Sequence, residues 1–316
     1  MVATTSPVTM PPQPVPRARR RRGSRLPYAL LLPSVVILLL AAGYPLVQQL
    51  VMSLQEYGLA QQFGQPAEWV GLDNYVELVT DPYLWTVVAR SILFCLVNAA
   101  LTMLVGIAVA MLMTQVSTAI RLILQLGLLL AWAMPLLASL TVWQWLFDTE
   151  YGVINWLLSN VLGLEQFAGR SWLISPLSFY FVATVIIVWM SVPFVAFSVY
   201  AGLTQVPTDV LEAAQIDGAT GWQRFRAITV PMIKPVLLIV GLLQIIWDLR
   251  VFTQIFVLQD AGGVARDTNL IGTYIYRLGI GEGQFGLAAA AAWFILALTV
   301  AVTFFYVRVM LREEQP

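Results

Sequence analysis

The chain has 316 residues, 59% hydrophobic and 11% charged, with 17 basic and 17 acidic side chains and no net charge; its mean hydropathy is +0.79. Soluble domains carry roughly 25% charged residues, so the composition is that of an integral membrane protein. It is long enough for about six helical spans of ~20 residues and has no basic surface for nucleic acid. With no His and a single Cys, it can form neither an internal disulfide nor a His- or Cys-cluster metal site, and His-based catalysis is excluded.

Residues 1–26 are rich in Pro and then in Arg, and read as a disordered cytoplasmic tail. Residues 27–54 form the first expected span, with the Arg cluster holding the N-terminus inside. Residues 55–83 are polar, carry Glu56, Glu68, Asp73, Glu77 and Asp81, and form an outer loop. The second span is expected at about 84–113 and the third at about 120–147, ending in Trp143, Trp145 and Phe147. A second outer loop runs over 148–176. The fourth span, about 177–204, carries Trp189, Ser191 and Pro193. After the polar stretch 205–231 come the fifth span (about 232–258), a Gly-rich outer loop (259–283) and the sixth span (about 284–311). Residues 312–316 are a short cytoplasmic tail.

Six spans place both termini and the 205–231 loop on one side. Twelve of the 17 Arg and Lys residues then fall in that compartment: the six of the tail, Arg121, Arg224, Arg226, Lys234, Arg308 and Arg312. The positive-inside rule makes it the cytoplasm.

The polar stretch is the most informative part of the chain. Pro207 suits a first helical turn, and Asp209 with Glu212 has capping-box spacing. Asp217-Gly218 should stop this helix, because Gly tolerates the left-handed C′ position. Thr220 with Gln223 opens a second helix by the same box spacing. The expected product is helix, Gly elbow, helix, between two spans.

A second signal lies in the fifth span, where Gln244, Trp247, Asp248, Arg250 and Gln254 interrupt an apolar run. An ionisable group at a span's centre costs about 2.5–3.5 kcal/mol on insertion scales. At 100° per residue Gln244, Trp247, Asp248, Val251 and Gln254 share one face, with Arg250 at its edge. Asp248 and Arg250, two apart, cannot pair along a regular helix, so each needs another partner or a local unwinding. The face is either half of a buried ion pair at a subunit interface or a polyol-binding surface, with Trp247 stacking on a sugar ring. Trp189, Met190, Ser191 and Phe194 of the fourth span are the facing candidates.

Glu212-Ala213-Ala214, Asp217-Gly218-Ala219, Phe225, Ile228, Pro231 and Pro235 resemble the EAA loop of ABC-importer permeases nearly position by position, with Val230 where that family has Leu. Trp69-Val70-Gly71-Leu72-Asp73-Asn74-Tyr75 is similar to a stretch of sugar-importer permeases at the same place. The chain is thus similar to the MalF-type membrane subunits of carbohydrate ABC importers over about residues 84–311. It lacks a long outer insertion, and its Arg-rich tail is most similar to the first permease of actinobacterial trehalose importers (SugA-type).

The resemblance implies a type I (MetI-like) importer transmembrane domain of six helices in the bacterial plasma membrane, taking up a disaccharide such as trehalose. It implies that Glu212, Ala213, Ala214, Asp217 and Gly218 dock on an ATPase. The substrate path would use Gln244, Trp247, Asp248, Arg250, Gln254, Trp189 and Ser191. Implied partners are a second, related permease, two ATP-binding cassette subunits and an extracytoplasmic substrate-binding lipoprotein. ATP and Mg would be bound by the ATPase subunits and no cofactor by this chain, whose single lysine, Lys234, follows Val-Pro-Met-Ile rather than the Gly-rich loop of a Walker A motif. Two other readings stand beside this one: a glycerol 3-phosphate or other polyol permease, and a proton-coupled secondary transporter using Asp248 and Arg250.

Overall fold

The computed structural model describes residues 26–313; the tail expected over 1–26, Leu26 apart, and the last residues, 314–316, lie outside the described residues. Of the described residues, those from Leu26 to Gln49 fall in one unit and those from Leu50 in a second. In the first, helix α1 (Leu26–Leu38) passes through a π-turn (Leu39–Gly43) into α2 (Tyr44–Ser53). Pro45, which has no N–H to give the preceding turn, accounts for the widened turn. Leu30, Leu32, Ile37, Leu40 and Val47 stand exposed, as on a lipid-facing helix.

The second unit opens with a two-stranded antiparallel ladder, β1 (Gln55–Glu56) on β2 (Glu68–Trp69), around the short α3 (Leu59–Gln62). Gly71, at φ +63, then turns the chain into α4 (Asp73–Thr80). Asn74 donates from one amide nitrogen to the Ser53 and Gln55 carbonyls, both at 2.9 Å. Tyr75 Oη and Ser53 Oγ lie 2.8 Å apart.

Helix α5 (Pro82–Gln115) starts at an Asp81 cap, whose Oδ1 accepts from Tyr83 N at 2.8 Å, with Pro82 at the first helical position. It is followed by α6 (Thr118–Ala133) and α7 (Leu136–Leu146). The third span, expected as one straight helix over 120–147, is instead this pair, bent by 101°. Pro135 is the cause: its missing N–H and ring hold Met134 and Pro135 extended, at ψ 128 and 134.

Short turns follow, including α8 (Val153–Trp156), before the long α9 (Pro176–Leu203). Then come α10 (Thr208–Ile216), α11 (Gly221–Arg224), a π-turn before Pro231, and α12 (Val230–Leu249). The chain is unwound at 250–252 and resumes as α13 (Thr253–Asp260). Two small helices, α14 (Ala265–Thr268) and α15 (Ile271–Tyr276), precede the final α16 (Phe285–Glu313). Across the described residues five helical runs are long and apolar enough to cross a membrane, or six counting α6–α7 as one.

Helices α5 and α9 pack along one another, α12 packs on both, α6 on α9 and α16 on α12. Between α5 and α9 the approach is close at Gly106, where an added Cβ would lie 2.5 Å from Val195 Cγ1. Without a hydrophobic drive in lipid, spans associate through such close approach of small residues. Gly106→Leu is therefore expected to cost about 1–3 kcal/mol from overpacking. Its check is a lowered melting temperature of the purified protein in detergent.

At one end of the bundle polar side chains lock the connections. Ser91 Oγ accepts from Ile271 N at 2.9 Å. Asn269 Nδ2 donates to Tyr83 Oη at 3.0 Å, and Tyr83 Oη to the Arg266 carbonyl at 2.8 Å.

Candidate functional site

The residues expected to serve function fall into two groups. The first is the elbow between α9 and α12. Pro207 is the N-cap of α10 (φ −61, ψ 132) with no side-chain cap bond. The expected Asp209–Glu212 capping box does not form, because Pro207 pushes the helix start back and leaves Asp209 inside the first turn. The C-terminal end forms a Schellman closure. Gly218 sits at φ +82, its N–H donates to Gln215 O at 3.1 Å, and Ala219 N donates to Ala214 O at 2.9 Å.

Thr220 and Gln223 form the reciprocal box that opens α11: Thr220 N donates to Gln223 Oε1 at 2.7 Å and Gln223 N to Thr220 Oγ1 at 3.3 Å. Arg224 Nη1 donates to Gln215 Oε1 at 2.8 Å across the bend. On the inner side Val206 and Leu211 pack with Val195, Val199 and Ile233, fixing the elbow to the bundle. On the outer side Glu212, Ala213, Asp217 and Gly218 are exposed, and Ala214 is half-buried. So are two large apolar side chains that the motif reading left out, Ile216 at 87% and Trp222 at 67%. Their signal was in the sequence: apolar residues inside a polar loop, where no span needs them.

The second group lies where α12 unwinds. Gln244 is 0% and Asp248 4% exposed. One turn apart, they bind each other: Gln244 Nε2 donates to both carboxylate oxygens of Asp248 at 3.0 Å. Gln244 Oε1 is buried with no partner among the described residues. Cys95 Sγ of α5 donates to the Ile245 carbonyl at 3.4 Å, seating this part of α12.

The single helical face expected for Gln244, Trp247, Asp248, Val251 and Gln254 does not exist. The helix ends at Leu249, so Gln254 belongs to α13 beyond the break. Trp247 turns outward, 47% exposed, edge-on to Phe194 at 5.0 Å. Arg250, the C-cap of α12, is exposed. Among the described residues the ion pair is Arg277 Nε–Glu282 Oε1 at 3.1 Å, and neither Asp248 nor Arg250 takes part in one. Trp189 lies edge-on to Trp143 at 5.7 Å. It lines a cavity of about 770 Å³ between α5, α6 and α9 that no α12 residue lines. Ser191 is half-buried on the same helix.

A buried acid and amide beside an unwound turn inside a helix bundle is the arrangement by which membrane transporters present side chains and backbone to a polar solute. Residues 102–313 match the family described as "Binding-protein-dependent transport system inner membrane component". The chain is 41% identical over 299 residues to the diacetylchitobiose uptake system permease protein DasB of Streptomyces coelicolor, covering 95% of this chain and 90% of that one. It is 30% identical to the trehalose/maltose transport system permease protein MalF of Thermococcus litoralis, covering 91% and 94%. A chain of the crystal structure of a bacterial ABC transporter for import of the acidic polysaccharide alginate superposes at TM-score 0.75, with 26% identity over 92% of this chain and 96% of that one. The chain belongs to the family of binding-protein-dependent inner-membrane permeases of ABC importers. Its fold is the importer transmembrane domain of the MetI type. It is a multi-pass inner-membrane component of a binding-protein-dependent transport system. That membership displaces the proton-coupled alternative.

Proposed function

We propose that this permease forms half of the pathway of an ATP-driven importer for a disaccharide and takes its power stroke through the elbow 205–231. The single observation that carries the coupling part is the exposed face of Glu212, Ala213, Ile216 and Trp222 on an elbow whose other side is anchored in the bundle. An apolar, small-residue patch exposed at the end of a membrane bundle fits a protein groove. The partners in this reading are a second related permease, two ATPase subunits that bind the ATP and Mg, and a binding protein outside; both termini lie in the cytoplasm.

The sugar is proposed from the relatives and from the Gln244–Asp248 pair. A carboxylate with one amide donor has acceptor capacity left for sugar hydroxyls. Diacetylchitobiose and trehalose or maltose, carried by the relatives according to their names, are the first substrates to test, with trehalose the one the tail resemblance points to. A glycerol 3-phosphate permease would want several cations on the path; the described residues place no Arg or Lys in hydrogen-bond contact with Gln244 or Asp248.

The reading is tested by uptake of labelled disaccharides by the complete importer reconstituted in liposomes. ATP-dependent accumulation of one of them supports it, and accumulation of none rejects it. A companion prediction concerns energy. The purified single chain is expected to show no ATP hydrolysis above background, because its one lysine is not in a phosphate-cradling loop. Vanadate-sensitive hydrolysis by the chain alone, free of contaminants, would contradict this.

A further inference from the structure

We infer that the cavity beside the α7–α8 connection is a carbohydrate subsite, a waiting position for the sugar at the outer mouth of the pathway. The inference deepens the sugar reading above and rests on it. The cavity measures about 310 Å³ and its lining includes Gln144, Trp145, Asp148, Thr149, Ser171 and Trp172. Pockets that hold small ligands run from about 300 to 1,000 Å³, so the size suits one sugar ring.

Its place is fixed by topology. Ser171 precedes the start of α9 at Pro176, and the elbow follows the end of α9 at Leu203. One spanning helix therefore separates cavity and elbow, and if the elbow meets the ATPase, the cavity faces outside. It also touches Ala261 at the end of α13, two turns beyond Gln254 on the same path. Gln144 Nε2 donates to the Val257 carbonyl at 3.1 Å and ties the cavity wall to α13.

The lining has the chemistry of sugar recognition, one open ring face at Trp145 together with unspent hydrogen-bonding groups; the faces of Trp172 are taken by Phe167 and Phe181, stacked at 5.6 and 6.0 Å. Trp145 is 56% exposed and offers an open face. Trp172 is held rigidly: its Nε1 donates to Asn155 Oδ1 at 2.7 Å, and Asn155 Nδ2 donates to the Arg170 carbonyl at 2.9 Å. Asp148 Oδ1 accepts from the Tyr151 and Glu150 backbones, both at 2.8 Å. Those two bonds hold its carboxyl below its ordinary range and so keep it charged. The second carboxylate oxygen, the Thr149 and Ser171 hydroxyls and the Trp145 indole N–H make no hydrogen bond among the described residues. Fixed acceptors and donors around an aromatic platform recognise a neutral polyol at little ordering cost.

The test is concentration-dependent uptake of diacetylchitobiose, trehalose and maltose by the complete importer with its binding protein, comparing wild type with Trp145→Ala and with a Thr149→Val, Ser171→Ala double variant. The expected result is a rise of about tenfold in the apparent KM of each, the pattern of lost ground-state binding. The hydroxyl variant decides if Trp145→Ala fails to assemble, since its hydroxyls hold nothing in the chain. An unchanged KM in the hydroxyl variant overturns the subsite alone. A raised KM that excess binding protein restores also overturns it, because the cavity is then a docking surface for that protein. A wild-type importer that carries none of the three sugars overturns the sugar reading and the subsite with it.

Discussion

A Glu212→Lys, Gly218→Val double variant is expected to insert normally and to lose at least nine-tenths of sugar uptake. Two independent physical effects combine in it. Gly218 holds φ +82, in the left-handed region where a residue with a Cβ is strained by roughly 1–2 kcal/mol, and β-branched valine is among the worst fitted. The backbone relieves that strain by giving up the Schellman closure, Gly218 N to Gln215 O and Ala219 N to Ala214 O. The direction of α11 relative to α10 is then lost. Nothing lies within 4 Å of an added Cβ at Gly218, so crowding cannot be the cause of a defect; only the backbone angle can. Glu212 is exposed, and its reversal to Lys acts on a partner surface, not on the fold. The measurement pairs uptake with co-purification of the ATPase subunits. Full uptake with normal ATPase recovery would remove the elbow from the coupling path. Ile216→Ser and Trp222→Ser are expected to weaken ATPase recovery in the same assay, since both side chains are largely exposed, Trp222 resting tilted on Phe225.

Which parts of this were legible in the sequence follows from how local their causes are. Gly218, the Thr220–Gln223 box and the spans themselves depend on neighbours within four residues or on a long apolar run, and the residue order states them directly. The bend at Pro135 was equally local, yet an apolar run of the right length hid it. A proline in such a run reads as tolerable, and only the 101° angle shows that it splits the helix. The failure at 250–252 has a different origin. Leu249 to Thr253 contains no Gly or Pro, so the Asp248–Arg250 spacing left unwinding as one of two alternatives and no breaker residue decided for it. The unwound backbone is matched instead by a residue twenty positions away. Gly272 lies so close that a Cβ there would stand 3.2 Å from the Val251 carbonyl and 3.4 Å from Phe252 Cβ. Non-helical backbone at membrane depth is tolerated only where protein or a cavity covers it, and a distant glycine provides that cover. The helical wheel put Gln254 with Gln244 because it assumed a continuous helix, and it contains no neighbour such as Phe194, against which Trp247 lies edge-on. Ile216 and Trp222 were visible as residues but had no weight in a motif defined by Glu, Ala and Gly.

Asp248→Ala is expected to lower uptake by one to two orders of magnitude and to leave the importer assembled. Asp248 is buried and receives both of its hydrogen bonds from one Gln244 nitrogen, so its charge is only part-balanced inside the chain. A carboxyl group left in that state at membrane depth takes up a proton or finds a further donor, and the proposed function gives the donor role to sugar hydroxyls. A hydrogen bond to a charged group contributes about 1.5–3 kcal/mol, and each 1.4 kcal/mol is a factor of ten, which sets the size of the loss. Alanine also strands the Gln244 amide, at a cost of about 1–3 kcal/mol in stability, so a low yield alone would not be informative. The Gln244→Leu, Asp248→Leu double variant separates the two effects. Replacing both members of a buried polar pair by apolar groups of similar size is close to neutral for folding. It is therefore expected to assemble as well as wild type and to transport as poorly as Asp248→Ala. If instead either variant separates the two permeases on size-exclusion chromatography in detergent, the pair holds the subunit interface. The sugar path must then run along another face, with Trp247 and Phe194 the next residues to test.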